Sequence, residues 1–476
     1  MPANWLRIGS RCGRANCPRW PPTAKCAKHG RPYWLSGPGP CPPCCAACHA
    51  HPPHSGTATL PLIGMTERTD SPGPMRRRGP RPLMLHLTLA MLRSNVSRAT
   101  SPLWNADWRT SSGPAILQSL QNAVQDGKHE SEFPAAVVAE TLRQDAALIE
   151  GIAAYRRHPR HRTLIDPPAV WSEGGTRLLD YGPPTGQPVL FVPSLINRAY
   201  VLDLAEGNSM LRWLAGRGMR PFLLDWGWPE EAERRFSLTD YVAGRLERAM
   251  TAAVRIAGTP PVLAGYCMGG TLAVAAAQRR PDLISGLALL AAPWDFHAPD
   301  PGRAIQAAET RPLLEPALAF SHTLSVDLLQ SLFALLDPWN VADKYRAFAR
   351  LPPNSDRARL FVDLEDWLND GVPLAANVAR ACLSEWYGEN APARGNWLIA
   401  GLPVDPTSIA TSAFVAVPGR DRIVPPESAR PLARLIPGAV LHQPAAGHIS
   451  MTAGARAEAS LWRPLLEWLR TLDKGS

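Results

Sequence analysis

Val262-Leu-Ala-Gly265-Tyr-Cys267-Met-Gly269-Gly270-Thr-Leu-Ala-Val-Ala-Ala-Ala277 reads as a short apolar strand, a cysteine bracketed by glycines, and the start of an alanine-rich helix. A residue at so sharp a strand-to-helix turn sits on strained backbone. Gly265 and Gly269 supply the missing side chains that let strand and helix approach one another. The Cys267 thiol then stands at a helix N-terminus, whose positive end favours the thiolate, and the Met268 N–H is placed to donate to an oxyanion. The chemistry this predicts is nucleophilic catalysis by a thiol. Cys382, in a helical stretch, reads as core.

A nucleophilic thiol needs a base, and the base needs an orienting acid. Working outward, short apolar runs alternate with helical stretches from 176 onward, the pattern of βαβ units in a mostly parallel sheet. The expected strands are Thr176 to Tyr181, Pro188 to Pro193, Pro221 to Trp226, Val262 to Gly265, Leu287 to Ala291, Ala413 to Val417 and Val440 to Gln443, with helices at Leu238 to Ile256 and Thr271 to Arg279 among them. The run Ala413 to Val417 leads into a loop bearing Asp421, and the next strand leads into Ala446-Gly447-His448. The order nucleophile, acid, histidine is that of an α/β-hydrolase fold, with Cys267, Asp421 and His448 as its triad. Asp295 and His297 are the competing acid and base, and His442 falls inside a strand. Between 296 and 408 strand-like runs give way to helical ones near Leu324 to Leu336, Asp356 to Leu368 and Leu374 to Trp386, which suggests a helical cap over the C-terminal strand edge.

The 50 prolines among 476 residues are about twice the usual share and crowd the front of the chain. Met1 to Arg81 carries 12 Lys or Arg against Glu67 and Asp70, leaving 38 basic against 39 acidic residues in the remainder. The net +9 therefore belongs to the arm, and nucleic-acid binding is not indicated for the folded part. Seven of the nine cysteines also lie there, and a large domain with two cysteines reads as reduced and cytoplasmic. Cys41-Pro-Pro-Cys44-Cys45-Ala-Ala-Cys48-His49 formally fits a haem-attachment or zinc pattern. It lacks the spaced pairs of a zinc module and the export a haem needs. The domain organisation expected is a disordered arm over 1–80, with Met65 or Met75 as alternative initiators, a helical preface over 81–170, core over 171–295, cap over 296–408 and core again over 409–476. Leu83 to Leu92 after Arg76-Arg77-Arg78 imitates a signal peptide but reads better as an amphipathic helix. No apolar run reaches 18 residues, so no membrane span is expected. The basic run Arg156 to Arg162 reads as a solvated linker, with lipid or CoA-phosphate contact as its sharper alternative.

Further segments resemble the polyhydroxyalkanoate synthase family, chiefly its class III-like members. Besides Gly265 to Thr271, these are Val192-Pro-Ser-Leu-Ile-Asn197-Arg-Ala-Tyr-Val-Leu-Asp203-Leu, then Asn208-Ser209 with Arg212-Trp213 and Pro221 to Trp226. Leu364-Glu-Asp366-Trp367-Leu-Asn-Asp370 and the acid loop Asp421-Arg-Ile-Val-Pro425 complete the set. The resemblance implies that Cys267 takes a hydroxyacyl group from hydroxyacyl-CoA as a thioester. His448, oriented by Asp421, would then deprotonate the hydroxyl that attacks it. It further implies a second oxyanion N–H at Leu195 or Ile196, substrate contacts at Asn197, Tyr266 and Asp203, association with a polyester granule, and a homodimer. Coenzyme A enters as part of the substrate, and no residue of the core asks for a metal or organic cofactor.

Two departures bear on the acyl acceptor. The family usually has His where Arg422 stands, and Gly447-His448-Ile449 runs here into Ser-Met-Thr-Ala-Gly454. A hydrolase of esters, thioesters or hydroxyalkanoate oligomers, with water as acceptor, is therefore the alternative function. Dienelactone hydrolases share the Gly-Tyr-Cys-x-Gly-Gly turn but are uncapped. A non-enzymatic granule-binding protein is the third reading, against which the triad argues.

Overall fold

A computed structural model describes residues 77–100, 118, 122 and 133–472, all within the unit Pro72–Ser476. The Cys41 to Cys48 motif, the alternative initiators and nearly all of the expected disordered arm lie outside the described residues.

Eight strands form the main sheet: β1 (Ala169–Glu173), β2 (Thr176–Asp180), β3 (Gln187–Val192), β4 (Met219–Asp225), β5 (Val262–Tyr266), β6 (Gly286–Leu290), β7 (Ala413–Ala416) and β8 (Val440–His442). Their order is β1-β2-β4-β3-β5-β6-β7-β8. The β1-β2 and β2-β4 pairs are antiparallel and all others parallel. β5 is buried along its whole length, as a strand covered by helices on both faces must be. The sequence pattern missed β1 because it is a half-exposed edge strand with a bulge and no clean alternation.

The described helices are α1 (Leu83–Thr100), α2 (Phe133–Arg157), α3 (Met210–Ala215), α4 (Glu247–Ala257), α5 (Met268–Arg279), α6 (Pro301–Glu309), α7 (Arg311–Ser321), α8 (Val326–Leu336), α9 (Asn340–Phe348), α10 (Asp356–Asn369), α11 (Ala376–Ala381), α12 (Pro426–Leu435), α13 (His448–Ala453) and α14 (Arg463–Leu472). α6 to α11 fill the excursion between β6 and β7. Two two-residue pairings, Thr323–Leu324 with Leu374–Ala375 and Leu398–Ile399 with Leu402–Pro403, interrupt them. The segment Leu374 to Trp386, expected as one helix, divides into such a strand, α11 and a π-helical turn, Cys382–Gly388.

α1 buries His86, Ala90 and Ser94 at four-residue spacing, the single stripe of an amphipathic helix. With Leu148, Ile152 and Tyr155 of α2 it packs against Tyr345 and Phe348 of α9. A polar seam runs beside that cluster. Asp366 of α10 accepts from Tyr155 Oη at 2.8 Å and from Arg77, while Asp363 receives Arg160 bidentately at 2.7 Å. Glu365 is paired with Lys344 at 2.6 Å. The two helices before the sheet are thus fastened to the cap. No described helix is long and apolar enough to cross a membrane.

The approach of α5 to the sheet depends on missing side chains. A Cβ on Gly265 would lie 2.4 Å from Gly270 Cα, and one on Gly269 2.1 Å from the Val192 carbonyl oxygen. Both obstacles are backbone and cannot swing away. Gly269→Ala is accordingly expected to lower unfolding free energy by at least ~2 kcal/mol. Gly207, at φ +75° with open space around its Cβ position, provides the comparison, since Gly207→Ala should cost about 1 kcal/mol from backbone conformation alone. Urea midpoints measure both, and equal losses would refute the close-approach argument.

Candidate active site

Cys267 occupies the turn between β5 and α5 at φ +56° and ψ −129°, a conformation L-residues seldom adopt. Its N–H donates to the Leu290 carbonyl of β6 at 2.9 Å, and its carbonyl receives Gly270 N–H at 2.8 Å. The backbone is pinned on both sides. The thiol projects at the N-terminus of a 12-residue helix.

Asp421 follows β7 and His448 opens α13 after β8, so three parallel strands deliver the three groups to one sheet edge. Asp421 and His448 are only 5% and 7% exposed, and Cys267 is half-buried. One Asp421 oxygen accepts the N–H groups of Ile423 and Val424 at 2.8 and 2.9 Å, while the other lies 2.7 Å from His448 Nδ1. A carboxylate can only accept, so Nδ1 carries the proton. Nε2 is left free of Asp421, and Cys267 is the group whose charge acts most strongly to protonate the ring.

Burial opposes charge on this imidazole, but the Cys267 thiolate, the hydrogen bonds to Asp421 and Cys267, and the Asp421 charge outweigh it and push His448 up to about 10. The protonated imidazole is therefore favoured wherever Cys267 carries charge. Tyr266 backs it, with ring centroids 5.2 Å apart and its hydroxyl 3.4 Å from the His448 carbonyl. Burial drives the Tyr266 phenol well above its usual range, and the Cys267 charge adds to this, so it remains a neutral donor.

The loop after β3 approaches the same helix end, since Val192 and Pro193 carbonyls crowd the Gly269 position. Within it, Ile196 N–H donates to Ser194 Oγ at 3.0 Å, whereas Leu195 N–H meets no acceptor among the described residues. Of the two expected oxyanion donors, Leu195 is the one with its N–H free. Asn197 adopts φ +67°, which Asn tolerates better than most residues, and receives Gln330 of the cap at 3.4 Å.

The structure does not bring Asp203 to the triad. Fully buried, its carboxylate is occupied by Arg212 at 2.8 and 3.0 Å, Tyr181 at 3.0 Å and Arg162 at 3.2 Å. It ties the segment before β1 to α3. His297 places Nε2 2.9 Å from the Tyr387 carbonyl, and Asp295 receives Asn390 at 2.8 Å, so both serve the start of the cap. His442 is engaged by the Ser460 carbonyl at 2.6 Å. Among the described residues no cluster of His, Cys, Asp or Glu could hold a metal ion.

Sequence reasoning passed over Tyr387. Burial raises its phenol, with the charges of Cys382 and Cys267 contributing, so the cap brings this ring within electrostatic reach of the thiol. No local signal marks it, because 120 residues separate it from Cys267 and only the folded cap closes that gap.

A thiol, an imidazole and a buried carboxylate in this relation can attack an acyl carbon and pass a proton to and from the departing and incoming groups. Since the folded-state value of His448 lies above the ordinary 6.5, its protonation stabilises the fold fully below that pH, and this contribution is lost as pH rises through about 10. Cys267→Ala removes the sulfur whose charge raises His448 and leaves burial less opposed. The His448 titration, followed by NMR of ring-labelled histidine and assigned by its absence in His448→Gln, is expected to fall from about 10 toward 6.5. An unmoved titration would contradict the control of this imidazole by Cys267.

The family described as alpha/beta hydrolase fold matches residues 187–454. Among curated proteins, the chain is similar to poly(3-hydroxyalkanoate) polymerase subunit PhaC of Haloferax mediterranei, at 30% identity over 63% of this chain and 62% of that one. It is likewise similar to the subunits of the same name from Allochromatium vinosum, at 28% over 63% of this chain and 87% of the relative, and from Synechocystis sp., at 28% over 63% and 83%. The match to the Haloferax protein thus leaves more than a third of that relative's length uncovered. With the strand order, the cysteine turn and the Asp421–His448 pair in place, the chain belongs to the alpha/beta hydrolase fold family.

Proposed function

We propose that this protein is a cysteine-nucleophile acyltransferase of the polyhydroxyalkanoate polymerase kind, with Cys267 as nucleophile, His448 as acid and base, and Asp421 as the orienting acid. One observation carries the reading: a thiol stands at the strand-to-helix turn, on the sheet edge where a buried carboxylate holds a buried imidazole at 2.7 Å. The polymerase subunits to which the chain is similar support it. A thiol suits repeated acyl transfer, because thioester exchange is nearly isoenergetic whereas a serine ester would be a deeper trap.

The Cys267 thiolate attacks the thioester carbon of a hydroxyacyl-CoA. As the carbon–sulfur bond to CoA breaks, the departing thiolate takes the proton of the His448 imidazolium, leaving acyl-Cys267 and a neutral ring. Loss of the thiolate charge removes the largest force holding the ring protonated, so the imidazole becomes a base at the step that needs one. It accepts the proton of a hydroxyl whose oxygen attacks the acyl carbon, and Cys267 departs as thiolate. The N–H groups of Met268 and Leu195 receive the developing oxyanion.

The domain reading that accompanies this has core over 171–295 and 409–476, a helical cap over 296–408 and a helical preface over 81–170. A polyester granule and a second copy of the chain are the partners it carries, with a cytoplasmic, granule-associated location. Water in place of the hydroxyl turns the same machinery into a hydrolase, and Arg422 and the residues after His448 bear on that choice.

Purified protein given 3-hydroxybutyryl-CoA is expected to release free CoA, to carry the acyl group on Cys267 by mass spectrometry, and to yield polymer. Cys267→Ala or His448→Gln should lower CoA release by about 10³-fold or more. Monomeric hydroxy acid without polymer would replace the acyltransferase by the hydrolase. No CoA release and no acylated Cys267 would reject both for this substrate.

A further inference from the structure

The polar ties between the cap and the core are uneven around the triad, while Leu329 of α8 is buried in the main apolar cluster. Beside the loop after β3, Trp367 Nε1 donates to the Arg198 carbonyl at 2.8 Å, Gln330 to Asn197 at 3.4 Å and Tyr200 Oη to Asp370 at 3.3 Å. Asn377 reaches the Arg235 carbonyl at 2.8 Å beyond β4. Where the chain leaves and re-enters the core, Asn390 joins Asp295 and Phe296. On the loops that carry Asp421 and His448 the described residues show one side-chain polar contact with the cap. It is Arg422 Nη1 to Asp337 Oδ2, at 2.5 Å.

Both partners are placed to report on the site. Arg422 lies in the turn whose next two N–H groups bind the Asp421 carboxylate, so its backbone is fixed to the triad. Asp337 ends α8, and α9 begins at Asn340, so it marks the corner between two cap helices. Leu335, Leu336 and Trp339 around that corner are exposed. The Arg422 side chain is itself 80% exposed, and a solvated pair of this kind holds weakly and is screened by salt. An acyl carbon has to come within about 3.5 Å of the Cys267 sulfur, beside an acid and a base that are buried.

We propose that the Arg422–Asp337 ion pair is a latch which holds the cap edge shut on the acid-loop side, and that the acyl substrate enters there, past the apolar lip of Leu335, Leu336 and Trp339, when the pair opens. The other ties, on two sides of the cap and at its root, act as the hinge. The weakness of the pair is what lets it exchange on every turnover. In this chain Arg422 makes the residue after the triad acid a gating group.

Access to Cys267 tests the latch without reference to the acyl acceptor, so its failure leaves the acyltransferase reading untouched. Full-length protein is pulsed with iodoacetamide at low salt, and modification of Cys267 is followed by peptide mass mapping, which separates it from the other eight cysteines. Arg422→Gln and Asp337→Asn should each speed alkylation roughly two- to five-fold, with the double variant no faster than either. The reversed pair, Arg422→Asp with Asp337→Arg, should return the slow rate. Sodium chloride near ~1 M should accelerate the unsubstituted protein and leave the single variants unchanged. Rates equal to the unsubstituted protein, gains that add in the double variant, failure of the reversed pair to restore, or acceleration that tracks a fall in Tm would each overturn the proposal.

Discussion

The backbone at Cys267 is held in a conformation that costs on the order of 1–3 kcal/mol, and nothing local to the residue repays it. The surroundings do, through two hydrogen bonds at Cys267, full burial of β5 and ten consecutive buried residues from Met268 to Ala277. That packing is possible only because backbone meets backbone at Gly265 and Gly269. The same contact that admits the helix brings the loop after β3 against its first turn. The position of the Cys267 thiol at the helix N-terminus and of the loop after β3 beside it are consequences of one close approach.

Electrostatics builds on that frame. Asp421 has both oxygens engaged, one by backbone and one by His448, so the imidazole is held from behind while its other nitrogen faces sulfur. The ring is buried, which alone would keep it neutral. Its protonated state depends on the partner charge at Cys267, and under the proposed mechanism acylation is what changes that charge. Tyr266 closes the rear of the ring as a neutral, buried donor.

The cap and the two helices before the sheet are joined through acids on α10. Asp363, Glu365 and Asp366 meet Arg160, Lys344, Arg77 and Tyr155, while Trp367 reaches the Arg198 carbonyl. Four residues of one helix therefore link the preface, the cap and the loop after β3. From the loops of Asp421 and His448, Arg422 makes the one side-chain polar link to the cap among the described residues.

Much of this was legible in the sequence, for identifiable reasons. Buried parallel strands are continuous apolar runs, so seven of the eight sheet strands stand out, while the half-exposed edge strand β1 does not. The glycines at 265 and 269 announce a turn that only they allow, and the order Cys267, Asp421, His448 follows from which strands carry them. Asp203 shows the limit of such reading. A motif marks it out, yet the fold surrounds it with Arg162, Arg212 and Tyr181, because a buried carboxylate must find donors wherever the chain supplies them. Tyr387 near the thiol and Asp337 against Arg422 were beyond reach, as their partners lie 120 and 85 residues away in sequence. The sequence by itself determined most of the elements, their order and the glycine-flanked turn, since those depend on local periodicity and on side chains that must be absent. Which polar groups meet across the cap was decided only by tertiary structure, where charges distant in the chain are brought close and must be paired.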